Sequence, residues 1–461
     1  MNKYALFTAL VMATIISVRP SALAEDRYVA QNGQTPGGAF TGWTTAASNI
    51  QDAINVAYTN ATVWVGAGRY TLPTNAGVYM GTNVVYINRP LTLRSSNGVP
   101  ATTIIDGAGT NRGIAIAYPT ATTNRFIVDG FTISNCYATN YGGGVLIYNG
   151  RPGASWTSEV RNCVISDCIV EYGASSGGGI ANYCRDTPGA VGAGIIVSNC
   201  VIRNNRASTN GNINSAGGGI FINSDSGRMR IAGCLVESNS AVFGGGVNLL
   251  ELDLSDGRTN FIENCVIRGN TAPNLLQANG GGMYMRGTYT VRNCLFYNNA
   301  CARISGAFHH LLGRLEMYNC TIISNQAGGS GWGSAFRIDS GTSAGYGLFM
   351  GNSIVYSNYN NDDIVIPAGQ IAFFTNSCLV KTNYDGVNFL GSGNFTNNPA
   401  FADWTNQNYQ LKPNSPCVNR GLNQDWMPNA VDLNGRTRIR YGTVDIGAYE
   451  TIYKGLVFKG Y

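Results

Sequence analysis

Charge is scarce in this sequence. Asp, Glu, Lys and Arg make up 12% of the 461 residues, and only 2 are histidine. The formal net charge of +5 falls to +3 (5 − 2) once Lys3 and Arg19 of the N-terminal stretch are set aside. So weak a balance excludes a strong nucleic-acid footprint. Past the N-terminal stretch, no apolar run is long enough to cross a bilayer as a helix. No spacing of Cys or His matches a zinc site. No helical period runs through the middle of the chain, and the paired turn signals of hairpins are missing too. Propeller blades, which need antiparallel strands, are thereby disfavoured. Glycine is what abounds, with 60 residues, alongside many Asn and aromatic side chains.

The N-terminus predicts export. Lys3 is followed by an apolar stretch over 5–16 and by the small-x-small site Ala22, Leu23, Ala24. This reads as a Sec signal peptide over 1–24, cleaved near Ala24. The expected destination is the extracellular space or a bacterial cell surface, with no transmembrane segment after cleavage.

One nine-residue register recurs nine times. Its anchors are Phe131, Cys163, Cys200, Cys234, Cys265, Cys294, Cys320, Ser353 and Cys378, at uneven intervals of roughly 25 to 37 residues. The residue two after each anchor is apolar, from Ile133 to Val380. The residue three before is apolar from Val128 to Met350, with Thr375 last. On a straight strand these two positions face opposite ways. Burying both requires a bend. The residue just before the anchor is Gly130, Asn162, Asn199, Gly233, Asn264, Asn293, Asn319, Asn352 or Ser377. Gly and Asn tolerate left-handed backbone most readily, so a one-residue left-handed corner is expected there. Five residues after the anchor stand Cys136, Cys168, Asn205, Asn239, Asn270, Asn299, Asn325, Asn358 and Asn383. Stacked Asn side chains can hydrogen-bond along such a column.

A third strand per unit follows each glycine run, at Gly142–Gly144, Gly177–Gly179, Gly217–Gly219, Gly244–Gly246 and Gly280–Gly282. Residues 305–308 and 333–336 are degenerate copies. Three short strands per turn predict an all-β, single-stranded right-handed parallel β-helix over 61–400, preceded by an entry coil and cap over 25–60. A helix from about 49 to 58, with a capping box of Ser48 and Gln51, would cover the first edge. The non-repetitive 401–461 segment, with Trp404 and Trp426, would form the opposite cap. A single solenoid of this kind is expected to be a monomer.

These patterns resemble secreted β-helix proteins of the pectin-lyase-like superfamily. The stretches 28–33, 49–54 and 63–70 resemble its entry coil. The glycine runs resemble repeats of polymorphic outer-membrane proteins. The stretches 414–421, 432–435 and 444–450 resemble the choice-of-anchor Q type of surface domain. The resemblance implies a fold shared by lyases, hydrolases and adhesins. It also implies that a substrate would lie along the exposed side of one strand stack.

Cysteine needs a separate reading, because 12 are present. Cys163, Cys200, Cys234, Cys265, Cys294, Cys320 and Cys378 would stack inward as reduced, apolar thiols, since parallel side-chain vectors disfavour bridging. Cys136 and Cys168 replace Asn on consecutive rungs and are the disulfide candidate. Cys184, Cys301 and Cys417 have no evident partner.

The glycine-run strands are the expected binding face. Parity gives two outward columns. One is Leu146, Ala181, Phe221, Asn248, Tyr284, His309 and Arg337. The other is Tyr148, Tyr183, Asn223, Leu250, Arg286, Leu311 and Asp339. Tyr284, Arg286, His309, Arg337 and Asp339 are the candidate substrate-binding residues for a polysaccharide or surface glycan. In a lyase acting on a uronate polymer, Arg286 or Arg337 would neutralise the carboxylate and His309 or Tyr284 would act as base. A hydrolase needs two carboxylates across the scissile bond. The acidic doublet Asp362-Asp363 reads as a solvated loop. No cofactor is evident, and no acidic cluster supports a Ca2+ site. Three readings stay open: a glycan-binding protein without chemistry, a polysaccharide lyase, and a structural adhesin or surface-layer component.

Overall fold

The computed structural model describes residues 25–71, 81–117, 124–149, 157–171, 175–184, 194–208, 214–224, 227–251, 260–329, 332–339, 347–359, 363–367, 370–381 and 388–452. The signal-peptide stretch, Asp362 and Asn383 lie outside them.

The described chain winds into a parallel β-helix with three long sheets. The first has thirteen strands, from Arg27–Val29 to Asn388–Leu390. The second has eleven, from Gly68–Tyr70 to Cys378–Leu379, and the third has ten, from Asn83–Ile87 to Ile364–Val365. Each strand pairs in parallel with its counterpart one coil away, as Val160 does with Val128 and Val197. Parallel pairing at one coil per step buries both inner and inter-coil surfaces in a single continuous core.

Every predicted corner Asn is left-handed. Asn162, Asn199, Asn264, Asn293, Asn319 and Asn352 have φ of 52°, 52°, 55°, 52°, 53° and 51°. The bend is what lets Val197, Cys200 and Ile202 all point inward. A second left-handed column follows four residues after the anchor, at Asn135, Asp167, Asn204, Ser238, Gly269, Asn298, Ser324 and Ser357.

Between this corner and the third sheet runs the Asn ladder. The Asn239 amide donates to Ile202 O at 2.9 Å and to Asn270 Oδ1 at 3.0 Å, while Asn270 Oδ1 also accepts the Asn239 backbone N–H. The same pattern carries through Asn205, Asn270, Asn299 and Asn325 to Asn358. These buried amides satisfy the backbone where the chain turns. The glycine runs lie against them. A Cβ on Gly246 would sit 2.7 Å from Gly282 O and 2.9 Å from the Asn270 side-chain amide carbon.

Cys163, Cys200, Cys234, Cys265, Cys294 and Cys320 are buried, unbonded thiols. Each donates to the carbonyl two residues earlier, such as Cys163 to Arg161 O at 3.0 Å. Cys378 does not belong to this column. Its strand partner is Ile354, and the left-handed residue of that coil is Asn376, with φ 47°. Ser377 therefore takes the anchor position, its hydroxyl accepting the Ser353 N–H at 3.2 Å. Parity then turns Cys378 away from the core and leaves Val380 exposed. Cys136 and Cys168 are buried, unbonded thiols within hydrogen-bond reach of each other.

The helix spans Ile50–Val56 and starts one residue later than the capping box implies. Asn49, not Ser48, is the N-cap, and its side chain accepts from Asp52 N. Gln51 bonds instead with both the N–H and the carbonyl of Tyr86, at 2.8 and 3.1 Å. It thus pairs backbone at the open end of the third sheet.

The C-terminal segment lies along the flank rather than over the last coil alone. Phe401, Tyr409, Leu411, Cys417 and Ile446 pack on Leu295, Tyr297, Ile323, Ile354 and Cys378 of the second sheet. The corner amides hold it: Asn293 donates to Val431 O, Asn319 to Asp445 O, Asn352 to Leu422 O and Asn376 to Arg420 O.

Candidate functional site

The outward columns of the third sheet align rung by rung. Leu146, Ala181, Phe221, Asn248, Tyr284, His309 and Arg337 are successive partners across seven strands. Tyr148, Tyr183, Asn223, Leu250 and Arg286 form the other column. Its next member is Leu312, not Leu311, because the register slips by one residue after Met285.

The first column is mostly buried, contrary to the alternation argument. Leu146, Ala181, Phe221, Asn248 and His309 are 5% exposed or less. Their cover comes from the residue just before each glycine run. Tyr141, Ser176, Ala216, Phe243, Asn279 and Ile304 form a bridged column of their own. Tyr141 stacks on Tyr183 with centroids 4.2 Å apart and lies 6.3 Å from Phe221. Tyr148 also stacks with Tyr183, at 6.1 Å. Further along, Phe243 lies 5.5 Å from Tyr284, which meets His309 edge-on at 5.3 Å. The result is an apolar, aromatic strip on the outside of the helix, with Tyr141, Tyr148, Tyr183, Phe243 and Leu250 partly open to solvent.

One end of the strip is charged. Asp339 accepts from Arg337 Nε at 2.7 Å and lies 2.8 Å from His309 Nε2. Burial alone would raise the Asp339 carboxyl, but hydrogen bonding and charge from His309 and Arg337 hold it below its ordinary value. Burial raises the Tyr284 phenol, which opposes a role as base. Arg337 and Arg303 both lie over the Trp332 ring, at 5.7 and 5.2 Å. Arg286 Nε is buried with no hydrogen bond among the described residues. The five predicted residues thus share one region, but Arg337 is already paired with Asp339 and His309 is almost covered. His310, the neighbour of His309, points inward to Gly287 O at 3.0 Å. Among the described residues, no three His, Cys, Asp or Glu side chains gather as a metal set would. Asp363 is buried, so its half of the acidic doublet is not a solvated loop.

Tyr141, Phe243, Trp332 and Arg303 escaped the sequence reading. The signal was present: Tyr141, Phe243 and Trp332 each precede the first glycine of a run.

No family model and no curated protein sequence matches the chain. Solved structures do match, and they define the fold: this is a right-handed parallel β-helix like that of pectate lyase. One is the crystal structure of pectate lyase Pel9A, at 13% sequence identity and a TM-score of 0.59, covering 93% of this chain and 97% of that one. At that identity the likeness is one of fold. No helix among the described residues is long and apolar enough to cross a membrane.

Proposed function

We propose that the chain is an exported, surface-displayed β-helix that binds a polysaccharide along the outside of its third sheet. One observation carries this reading: the aromatic strip from Tyr148 through Tyr183 and Tyr141 to Phe243 and Tyr284. Aromatic faces suit the apolar faces of sugar rings. A strip repeating once per coil, about 4.8 Å, also suits a ligand that repeats along its length. Arg286 stands where the strip meets the charged end, ready to fork onto a carboxylate. The test is binding of the purified chain to a panel of neutral and uronate polysaccharides, by calorimetry or affinity electrophoresis. Retention by at least one polymer is expected. Failure on all of them would sink the reading and leave a structural surface component as the better account.

The second reading is a polysaccharide lyase, favoured by the His309–Asp339 pair near Arg286. His309 would take the proton next to the uronate carboxylate while Arg286 neutralises that carboxylate. Ultraviolet absorbance of the unsaturated product, followed with and without a chelator, separates lyase from binder. The same chelator arm reports on Ca2+.

A further inference from the structure

We infer that Cys378 and Cys417 form an intrachain disulfide that fastens the C-terminal segment to the last coil. Register separates this pair from the other cysteines. Within the column from Cys163 to Cys320, neighbours stand on parallel strands in the same position, so their Cα–Cβ vectors run side by side. A disulfide needs a dihedral near 90°, which such stacking disfavours. Cys378 has left that column, because Ser377 holds its place. It faces outward into the apolar interface beneath the flanking segment, where Cys417 is also buried. The two thiols are unbonded in the structure, come from different elements and lie within hydrogen-bond reach of each other.

Both partners are held in place by independent contacts. Cys378 N–H donates to Ser353 O at 2.9 Å, and its thiol lies 3.1 Å from Asn397 O. Cys417 N–H donates to Ser415 Oγ at 3.1 Å, and its carbonyl accepts Ile446 N–H at 2.9 Å. The surrounding side chains are Ile354, Phe401, Leu411 and Ile446.

The chemistry is a two-electron oxidation. Each thiol loses one proton and one electron, and the S–S bond forms. An external disulfide, such as oxidised glutathione or an oxidised thiol–disulfide oxidoreductase, takes up both protons and electrons as two thiols. The bond would close a loop across the whole junction between the last coil and the flanking segment, which restricts the detached state.

The test starts from the full chain, purified reduced and then exposed to oxidised glutathione. It is alkylated under denaturing, non-reducing conditions and mapped by mass. A peptide linking Cys378 to Cys417 is expected, with Cys163, Cys200, Cys234, Cys265, Cys294 and Cys320 alkylated. Alkylation of both Cys378 and Cys417, or a bond from either to another cysteine, overturns the inference. A second readout is limited proteolysis within 401–452. Dithiothreitol should speed cleavage there at least about tenfold in the parent. The Cys417→Ser variant should already be fast and indifferent to reductant. An unchanged rate in the reduced parent would overturn the fastening role even if the bond forms. If Cys417→Ser fails to fold, the mass map of the parent still decides.

Discussion

Asn352 holds both backbone groups of Leu422. Its Oδ1 accepts the Leu422 N–H at 2.7 Å and its Nδ2 donates to the Leu422 carbonyl at 2.8 Å. The Asn352 carbonyl also accepts Gly447 N–H, at 2.8 Å. One residue therefore makes the left-handed corner, with φ 51°, and pins two parts of the flanking segment. Asn352→Gly keeps the backbone angle and removes the two bonds to Leu422, along with the 3.4 Å bond to Asn319 Oδ1, a loss of about 1–3 kcal/mol. Asn352→Val adds about 1–2 kcal/mol of backbone strain. Chemical denaturation should rank the three proteins in that order. Equal stability of the Gly variant and the parent would show that the amide is not a fastening.

The ladder amides should be costlier to lose than the corner amides. Asn270 is fully buried, donates to Val236 O and Asn299 Oδ1, and accepts twice from Asn239. Asn270→Ala strands those partners in a dry interior, at a cost of about 2–5 kcal/mol. Asn270→Cys should cost less. Cys168 already fills an equivalent rung, its thiol donating to Ser166 O at 3.2 Å. If alanine and cysteine prove equally harmful, hydrogen bonding is not what the ladder supplies.

The coil was legible because its rules are local. An Asn before an inward Cys, repeated, can only mean a left-handed bend, and each such Asn proved left-handed. The last register was misjudged for a reason equally local. Ser377 and Cys378 are both acceptable anchors, and only the pairing of Cys378 with Ile354 separates them. The binding face was legible in its alignment but not in its exposure. Alternation tells which way Phe221 points, yet not that it is covered, and Tyr141 lies against it from two coils away. The His309–Asp339 bond was illegible because it runs diagonally between two outward columns: His309 stands opposite Arg337, and Asp339 lies two residues further on. The corner amides that hold the flanking segment join residues up to 138 positions apart, as Asn293 and Val431 are. No sequence pattern announces such a pairing.

Two buried groups give stability opposite pH slopes. His310 is pushed down from 6.5 to about 4 by burial. The unfolded chain takes up its proton first, so its contribution is complete above pH 6.5 and is lost as pH falls through 4. Glu450 is pushed up from 4.5 to about 8 by burial, with Asp445 and Asp432 adding to the rise and Arg438 opposing it. Its contribution is complete below pH 4.5 and is lost as pH rises through 8. Above pH 6.5 only Glu450 of this pair acts, so the melting temperature should fall between pH 6.5 and 8.5. Glu450→Gln should flatten that limb and His310→Asn the acid limb. A Glu450→Gln profile that superimposes on the parent would refute the assignment.

The binding face makes the last prediction, on the premise that a glycan lies along the strip. Tyr183 is the rung that stacks with both Tyr141 and Tyr148. Arg286 is at the charged end, on the same column two strands past Asn223. The two residues should therefore fail differently. Tyr183→Ala removes ring stacking, so it should weaken neutral and acidic polymers alike, by about 1 kcal/mol or somewhat more. It should matter most for ligands long enough to span several coils, because a short oligosaccharide can shift to an intact rung. Arg286→Ala removes a charge-assisted contact, so it should weaken uronate polymers by about 1–3 kcal/mol and leave neutral ones unchanged. Added salt should erode that second effect and not the first. Calorimetry on a length series of neutral and uronate oligosaccharides reads all of these at once. If both variants bind every ligand as the parent does, the outside of the third sheet is not the site, whatever the protein binds elsewhere. If Arg286→Ala acts on neutral ligands too, the arginine is a packing residue and the charged end has no part in recognition.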